Sequence, residues 1–351
     1  MSKGKRTCIL IGLAVLILML VLIYQGLLSP NTEKVPLEQM TQQEIIRTYQ
    51  KELVERGFEE EQLPLFAKAE LILILTHDGK VDSCQKEYDL YVAFDKQQNE
   101  DSGKQGELYV IPITEKEYEL FSADEMNLSA EQKSYRKLQM GKIFQTSLKQ
   151  GKVTSLKTCN AVTTLSDEDN LSDTISGCTL YTELSSYTIS EPGYVKRGFC
   201  YYFDWVEMSK LGSYFSDVIA IKHNGNEYGI TALYQAGASI ASQSKSNGTI
   251  TVKDDYRPDA EIGSKEYGGV MLEFELAESK RTYGRMYAVF GNTTVGYEKR
   301  EGNYNVMGRY GHGTASLSDM ELESAFSSED LSFSSVPGIM QSGQTCLLEE
   351  G

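Results

Sequence analysis

The sequence has few of the residues from which metal centres and redox sites are built. Its three histidines, His77, His223 and His312, include no pair at the i, i+4 spacing of a helical zinc site. Its six cysteines include no Cys-x-x-Cys pair, which argues against a zinc site and against a thioredoxin-type redox centre. No glycine-rich phosphate loop or dinucleotide fingerprint occurs in a strand-to-helix context. We therefore predict that the protein has neither a metal site nor a cofactor.

Basic residues are also scarce, since 34 lysines and arginines stand against 50 aspartates and glutamates and the formal net charge is −16. Binding to a nucleic-acid backbone requires basic patches that displace counterions, so no nucleic-acid partner is expected. Asp167, Asp169, Asn170 and Asp173 cluster oxygen atoms as a calcium loop would, but the glycine and the closing glutamate of an EF-hand are missing. Solvated loop acids are the preferred interpretation, and weak calcium binding is the alternative.

The most distinctive feature that is present is an apolar run near the start. As a helix, residues 8–28 would span about 31 Å, which matches the hydrocarbon core of a bilayer, and Gln25 is their only strongly polar member. A buried helix of a soluble protein would normally have a polar face, which this run lacks over four turns. We therefore predict a transmembrane helix at 8–28, with the lipid bilayer as its partner.

The flanking residues predict the orientation of this helix. Lys3, Lys5 and Arg6 precede it without any acidic residue, so the positive-inside rule makes residues 1–7 a cytoplasmic tail. The bulk of the chain is then extracytoplasmic. The run is longer than a usual signal-peptide core and has no clear small-x-small cleavage site, so we expect an uncleaved signal anchor and a single-pass membrane protein.

Composition and periodicity divide the rest of the chain into sections of different character. The predicted fold class is α+β, with a membrane-proximal α+β domain and a distal all-β domain of sandwich or jelly-roll-like form. The predicted sections are a linker at 29–36, the α+β domain at 37–150, an irregular connecting segment at 151–190, the β-sandwich domain at 191–315 and an ill-ordered Ser/Glu-rich tail at 316–351.

Three segments of the α+β domain have helical periodicity. Thr41 to Glu44 has the spacing of a capping box, and Ser129 to Gln132 has it again. The predicted helices are one that starts after Thr41 and stops at Gly57, one over Glu115–Phe121 and one over Ser129–Gln150.

Strand signals lie between these helices. The apolar run Leu71–Leu75 predicts a strand, and the tight-turn dipeptide Asp78-Gly79 would join it to a second strand from Val81. Alternation of apolar and polar residues predicts two more strands, over 88–94 and 108–113, with a polar loop over 96–105.

After Pro192 the pattern is almost wholly of the strand type. Asn224-Gly225 predicts a hairpin turn, and the spacing of seven short strands is typical of a sandwich or jelly roll. The candidate strands are Tyr194–Trp205, Val218–Lys222, Tyr228–Tyr234, Thr249–Lys253, Val270–Leu276, Arg285–Phe290 and Val306–Tyr310.

The cysteines suggest one disulfide and one weak resemblance. Cys159 and Cys178 would close a short loop, and this pair is the predicted disulfide. The five residues that end at Cys159, Ser-Leu-Lys-Thr-Cys, resemble the Leu-x-Thr-Cys strand end of sortases, which are anchored transpeptidases. The resemblance implies that Cys159 attacks an acyl group, His77 acts as acid and base, and an arginine stabilises the oxyanion. The first arginine after Cys159 is Arg197, well beyond the family's position, and a disulfide or a buried thiol is the preferred interpretation.

The remaining candidates for function are aromatic. Tyr201, Phe203 and Trp205 lie in a tyrosine-rich strand, and His312 sits between two glycines where a ligand could approach. Exposed aromatic side chains on a β-domain can stack on sugars or anchor a protein. The preferred interpretation of this strand is that alternate aromatic residues belong to the core and the others only cover the surface of the sheet. We predict a non-catalytic binding or envelope-associated module for a protein or glycan ligand. An anchored cysteine acyltransferase, another hydrolase outside the membrane and a sensor are the alternatives.

Overall fold

The computed structural model describes most of the chain after the predicted linker. The described residues are 35–94, 108–124, 127–155, 175–191, 196–206, 216–225, 228–243, 250–256, 260–263, 268–275, 281–291, 302–313, 322, 324–326, 331–333, 336 and 339–350. The predicted transmembrane helix at 8–28, the polar loop at 96–105, Cys159 and the acidic segment at 167–173 lie outside these ranges. Within them, no helix is both long enough and apolar enough to cross a membrane.

Helices occupy the first part of the described chain and begin at well-formed caps. They are α1 Gln42–Glu55, α2 Lys68–Thr76, α3 Glu115–Ser122 and α4 Ala130–Lys149, with short 3₁₀ turns at Leu37–Gln39 and Glu60–Leu65. Thr41 and Ser129 form the predicted capping boxes with Glu44 and Gln132, and Thr114 forms a third before α3. Helices α1, α3 and α4 therefore confirm the prediction from periodicity.

The prediction of a strand over Leu71–Leu75 is wrong, because these residues belong to helix α2. A short apolar run has no periodicity that separates a buried strand from a buried helix, and α2 is apolar on nearly all sides. Asp78-Gly79 is a turn, but it joins this helix to a strand: the Gly79 amide donates to the Ile74 carbonyl at 2.8 Å. Asp78 has a φ of 51°, a left-handed conformation that aspartate tolerates better than most residues.

The described strands form two antiparallel sheets. They are β1 Lys80–Phe94, β2 Leu108–Pro112, β3 Thr154–Ser155, β4 Ile175–Thr188, β5 Lys196–Val206, β6 Ser216–His223, β7 Ala232–Gln243, β8 Ile250–Tyr256, β9 Ala260–Gly263, β10 Gly268–Glu275, β11 Arg281–Gly291, β12 Gly302–Gly313, β13 Ile339–Ser342 and β14 Thr345–Glu350. The first sheet has the order β3-β2-β1-β4-β5-β11-β7-β8. The second has the order β13-β12-β6-β10-β9, and β14 also pairs with β12. The protein is thus mostly antiparallel sheet with some helices, as the predicted α+β class requires.

Strand β4 lies in the segment 151–190, for which irregular strands and loops are predicted, and it is a long, regular strand. It pairs with β1 from Ile175 to Thr188 and with β5 from Thr179 to Thr188. Its side chains are almost all buried, so the serine- and threonine-rich sequence hides a strand covered on both faces. The first sheet consequently contains strands from both the 37–150 and the 191–315 sections, whose division into two domains stays a prediction.

The predicted hairpin at Asn224-Gly225 is also wrong. Strand β6, which ends at His223, lies in the second sheet, whereas the next described strand, β7, lies in the first. The Asn224 side chain accepts a hydrogen bond from the Asn305 amide at 2.7 Å, so this dipeptide is held against β12. The turn therefore carries the chain from one sheet to the other.

The two sheets face each other across an aromatic core. Phe203 of β5 stacks on Phe274 of β10 with ring centroids 5.6 Å apart, and it meets Tyr310 of β12 at 4.7 Å. Trp205 is fully buried and lies 5.9 Å from the Tyr310 ring. This packing has the arrangement of a sandwich, in which inward-facing side chains of two sheets interdigitate.

The described part of 316–351 is ordered, contrary to the predicted ill-ordered tail. Strands β13 and β14 run along the edge of β12 in one register, interrupted only at Gly343 and Gln344. Upstream, a group of buried apolar side chains covers the outer face of the second sheet: Leu322, Ala325, Phe326, Leu331, Phe333 and Val336. Composition was misleading because a few scattered apolar residues suffice to cover a sheet face that would otherwise expose Val218 and Met271.

Candidate functional site

Strand pairing aligns tyrosines and charged residues on the outer face of the first sheet. Tyr88 of β1 lies opposite Tyr181 of β4, and Tyr181 lies opposite Asp204 of β5. Two residues along, Glu183 of β4 lies between Lys86 of β1 and Tyr202 of β5. Since side chains alternate between the faces of a strand, these two rows share one face, opposite to the aromatic core.

Four tyrosine rings form a continuous cluster on this face. Tyr88 and Tyr181 are stacked, with centroids 5.1 Å apart and planes 18° from parallel. Tyr118, which helix α3 contributes, lies 5.2 Å from Tyr88 and 5.9 Å from Tyr181. Tyr202 closes the cluster by meeting Tyr181 edge-on at 5.7 Å. These separations are those of favourable aromatic pairs.

Helices on either side turn this surface into a cavity of about 540 Å³. The 3₁₀ turn at Glu60–Leu65 and the residue before it form one wall, and α3 forms the opposite wall. The lining residues are Glu59, Glu61, Gln62, Lys86, Tyr88, Glu115, Tyr118, Glu119, Ser122, Asp124, Tyr181, Tyr202, Asp204, Val206, Gln243 and Arg281. A cavity of this size falls in the range of small-molecule and side-chain pockets.

Hydrogen bonds fix the carboxylates at the base of this tyrosine pocket. Asp204 receives two bonds from Arg281, from Nε at 2.8 Å and from Nη2 at 2.5 Å, and the Tyr118 hydroxyl donates to it at 3.5 Å. Glu183 accepts from Gln62 Nε2 at 3.0 Å and from the Tyr181 hydroxyl. Both carboxylates are almost fully buried. The hydrogen bonds from these donors offset the free-energy cost of removing the carboxylates from water.

Burial and neighbouring carboxylates keep the tyrosines neutral. Burial, and after it the charge of Glu115, raises the pKa of Tyr88 to about 12. The pKa values of Tyr118 and Tyr181 are also raised, first by burial and then by Asp204 and Glu183 respectively. The hydrogen bond to Asp204 raises the pKa of Arg281, which stays cationic. The pocket therefore presents neutral phenol rings at neutral pH.

The aromatic residues chosen from the sequence lie on the other face of the same strand. Tyr201, Phe203 and Trp205 have no exposed surface and point into the core between the sheets. Their burial agrees with the interpretation that alternate aromatic residues of this strand belong to the core. Their assignment as binding residues stays a prediction, and buried rings give it no support. Side-chain alternation along β5 places Tyr202 and Asp204 on the face opposite to these three residues. Because residues on both faces of β5 are buried, hydrophobicity alone does not show which face lines the pocket.

His312 is also buried, and it has a specific partner. Its Nδ1 lies 2.9 Å from Oδ1 of Asp217, and the Gly313 amide donates to the same oxygen. The Tyr310 hydroxyl donates to Oδ2 of Asp217. Burial raises the pKa of Asp217. With no exposed surface, His312 does not reach the protein surface in this structure, and its predicted binding role stays untested.

The structure does not test the cysteine and histidine candidates as a pair, because Cys159 lies outside the described residues. His77 caps the end of α2, where its carbonyl accepts from the Ser190 amide at 3.0 Å. Cys178 is buried in the core, and Cys159 lies outside the described residues, so the predicted disulfide and the Cys159–His77 site stay predictions. In the part of the chain that the structure describes, no three His, Cys, Asp or Glu side chains are arranged to hold a metal ion.

The residues of the pocket were missed because seven separate segments supply them. Tyr88, Tyr118 and Tyr181 are spread over almost a hundred positions of sequence and meet only through the β1–β4 register and the docking of α3. The sequence does contain one relevant pattern: two alternating strands each carry a tyrosine next to an acidic residue, as in Glu87-Tyr88-Asp89. Such a pattern indicates that one face of a strand is polar. It does not show which other strands and helices contribute side chains to the same surface.

Comparison with known proteins gives no family. No family model matches the chain, and no curated protein matches it. Three solved structures have low similarity to it. A chain from a structure of manganese lipoxygenase of Gaeumannomyces graminis with part of zonadhesin of Komagataella pastoris has 7% identity and a TM-score of 0.25 over 50% of this chain and 62% of that one. The C-terminal domain of the AgI/II polypeptide BspA of Streptococcus agalactiae has 10% identity and a TM-score of 0.27 over 53% and 69%.

The third is the enzymatically active domain of tailspike protein 4 of bacteriophage CBA120, with 7% identity and a TM-score of 0.17 over 33% of this chain and 18% of that one. The chain spans less than two thirds of the length of the chain from the manganese lipoxygenase structure. All three scores are too low to indicate a common fold, so they assign neither a fold family nor an activity to the chain.

Proposed function

We propose that this protein is a single-pass, membrane-anchored binding protein without catalytic activity, and that its ligand binds outside the membrane in the tyrosine pocket. The anchor is the apolar run at 8–28, and its basic flank orients the rest of the chain outward. The proposal includes a distal β-domain of sandwich or jelly-roll-like form, to which the pocket strand β5 would belong.

The observation that carries the binding role is the cavity itself. It combines stacked aromatic rings with fixed polar groups, the combination by which proteins orient a ligand while giving it an apolar surface. We favour a binding role over hydrolysis because the two buried carboxylates at the base of the pocket already hold structural hydrogen bonds. Asp204 is paired with Arg281, and Glu183 with Gln62 and Tyr181. A general acid or base would need one of these groups to meet a reacting atom.

The binding role is tested by screening the purified full-length chain, in a non-ionic detergent without a sugar headgroup, against arrays of glycans and peptides. The Tyr118→Leu variant is screened in parallel because Tyr118 is half-buried and contributes one ring of the pocket. We expect a ligand class that binds the wild type, is lost with Tyr118→Leu and is recovered unchanged after incubation. A ligand that is chemically converted, or binding that Tyr118→Leu leaves intact, would overturn the proposal.

The anchor is tested separately by cell fractionation and protease accessibility. The proposal requires the intact chain to stay in the membrane fraction after an alkaline wash. A protease added from outside should digest the bulk of the chain. Recovery of the intact chain from the soluble fraction would contradict the anchor without affecting the pocket.

A further inference from the structure

The charges around the tyrosine pocket indicate what kind of ligand it would take. Six of its lining residues are carboxylates and two are cations, which leaves four carboxylates in excess. Both cations are already neutralised, since Lys86 Nζ lies 2.9 Å from Glu59 Oε1 and Arg281 holds Asp204 at two points. An anionic ligand would therefore meet net repulsion, and a cationic one net attraction.

Two of the excess carboxylates are placed to meet a ligand. Glu61 on the 3₁₀ turn and Glu119 on α3 are exposed and line the cavity from opposite walls. Within the described part of the chain, neither has a cationic partner. A cation that enters between them would gain Coulomb attraction from both without displacing an existing ion pair.

The aromatic base of the pocket favours the same class. The faces of Tyr88, Tyr118 and Tyr181 carry the negative end of the ring quadrupole and lie within 5.1 to 5.9 Å of one another. A cation within about 6 Å of such ring centroids is attracted to them. Calcium and magnesium require six or more oxygen ligands in a shell, which ring faces do not supply. An organic cation can use both the rings and the carboxylates, because its stem packs on the rings while its head reaches the acids.

We propose that the tyrosine pocket binds a protonated amine or guanidinium carried on an aliphatic stem, as in a lysine or arginine side chain of a partner polypeptide or in a free polyamine. This inference rests on the proposed binding function and adds the class of ligand. Glu61 and Glu119 attract the charge, and Tyr88, Tyr118 and Tyr181 pack against the stem and head.

The experiment is calorimetric titration of the full-length chain with matched probes. The cationic probes are the blocked peptides Gly-Lys-Gly and Gly-Arg-Gly and the diamine cadaverine, and the neutral probes are blocked Gly-norleucine-Gly and a disaccharide. We expect the cationic probes to bind at least tenfold more tightly than the norleucine peptide, with an affinity that falls as salt is raised. Tighter binding of the peptides than of cadaverine assigns the cation to a polypeptide, and the reverse assigns it to a polyamine.

Two sets of variants locate this binding. The double substitution Glu61→Gln and Glu119→Gln should weaken cation binding by roughly fivefold or more, because it removes both exposed charges that attract the cation. A matched control, Glu55→Gln with Glu131→Gln, removes the same charge from exposed positions that do not line the cavity and should leave the affinity within about twofold. Tyr118→Leu should weaken binding roughly three- to thirtyfold, and Tyr118→Phe, which keeps the ring, should restore most of it.

The outcomes separate this inference from the proposed function. Binding of the disaccharide or of norleucine peptide, lost with Tyr118→Leu and unaffected by the Glu61/Glu119 substitutions, would refute the cationic ligand while keeping a binding pocket. Equal loss in the Glu55/Glu131 control would refute a specific role of Glu61 and Glu119. Failure of every probe to bind a chain that unfolds at the wild-type temperature would refute the cationic ligand, and the array screen would then decide the binding function.

Discussion

Arg285 of β11 and Glu70 of α2 form a fully buried ion pair between positions 215 residues apart. Arg285 Nη2 lies 2.8 Å from Glu70 Oε1, Nη1 donates to Oε2, and the guanidinium stacks on the Phe66 ring with its centre 3.5 Å from the centroid. The Tyr187 hydroxyl adds a bond to Glu70 at 2.9 Å. The pair therefore links helix α2 to the outer face of the first sheet, where apolar residues of the helices also pack.

Removing one partner of this pair should be strongly destabilising. Glu70→Leu or Arg285→Met leaves the other charge buried without its counter-ion, and we expect each to lower the free energy of unfolding by about 3 to 5 kcal/mol. The double variant Glu70→Leu with Arg285→Met removes both charges and should cost less than either single change. Denaturant unfolding of all four proteins measures this coupling. Additive losses would mean that the two charges act independently.

Gly198 of β5 should tolerate no larger side chain. A Cβ at this position would lie 2.0 Å from Cζ of Tyr187, whose ring is fully buried and whose hydroxyl is held by Glu70. We expect Gly198→Ala to destabilise the protein by about 1 to 3 kcal/mol, the usual cost of overpacking, in chemical denaturation.

The matched control for this prediction is Gly141→Ala in the interior of α4. A Cβ there meets no atom within 4 Å, so the gain in helix propensity should stabilise the protein by about 0.5 to 1 kcal/mol. Equal effects of the two substitutions would show that the ring of Tyr187 does not occupy the space above Gly198.

Asp89 of β1 should make stability depend on pH. Burial raises its pKa to about 6, although Ser342 Oγ donates to it at 2.6 Å. Because the folded-state pKa lies above the unfolded value of about 3.9, its stabilising contribution is present below pH 4 and is lost as the pH rises through 6. Asp89→Asn should therefore raise stability at pH 7.5 by up to roughly 3 kcal/mol and have little effect at pH 4.

Thermal unfolding from pH 4 to 8 measures this difference. Ser342→Ala serves as the comparison because it removes the donor but keeps the carboxylate, and it should steepen the loss of stability with pH. A wild-type and an Asp89→Asn protein with parallel pH profiles would contradict the raised pKa.

Phe333 should be as important to stability as a residue of the central core. It is fully buried against the outer face of the second sheet, and we expect Phe333→Ala to cost about 3 to 5 kcal/mol in urea unfolding. Leu347→Ala on the nearby strand β14, where the side chain is 60% exposed, is the control and should change stability by less than about 0.5 kcal/mol. A negligible effect of Phe333→Ala would restore the expectation of an ill-ordered tail.

Local sequence signals predicted the helices and most strands where a short-range cause exists. The capping boxes at Thr41 and Ser129 set helix starts, because the bonds that satisfy the first backbone amides lie within four residues. Alternation over 88–94 and over the tyrosine-rich strand β5 likewise predicted strands, since a pleated strand separates its side chains by a period of two. Leu71–Leu75 failed because an apolar run without period suits either structure.

What the sequence by itself determined is therefore the acidic charge, the apolar run at 8–28, the sheet-rich α+β class and the elements with local signals. Only the tertiary structure decided which face of β5 is core, that β4 joins the two halves of the first sheet, and that the chain after 316 covers the second sheet. It also decided the tyrosine pocket, whose residues come from seven segments. The physical reason is that burial and strand register depend on contacts between residues distant in sequence, which no local pattern encodes.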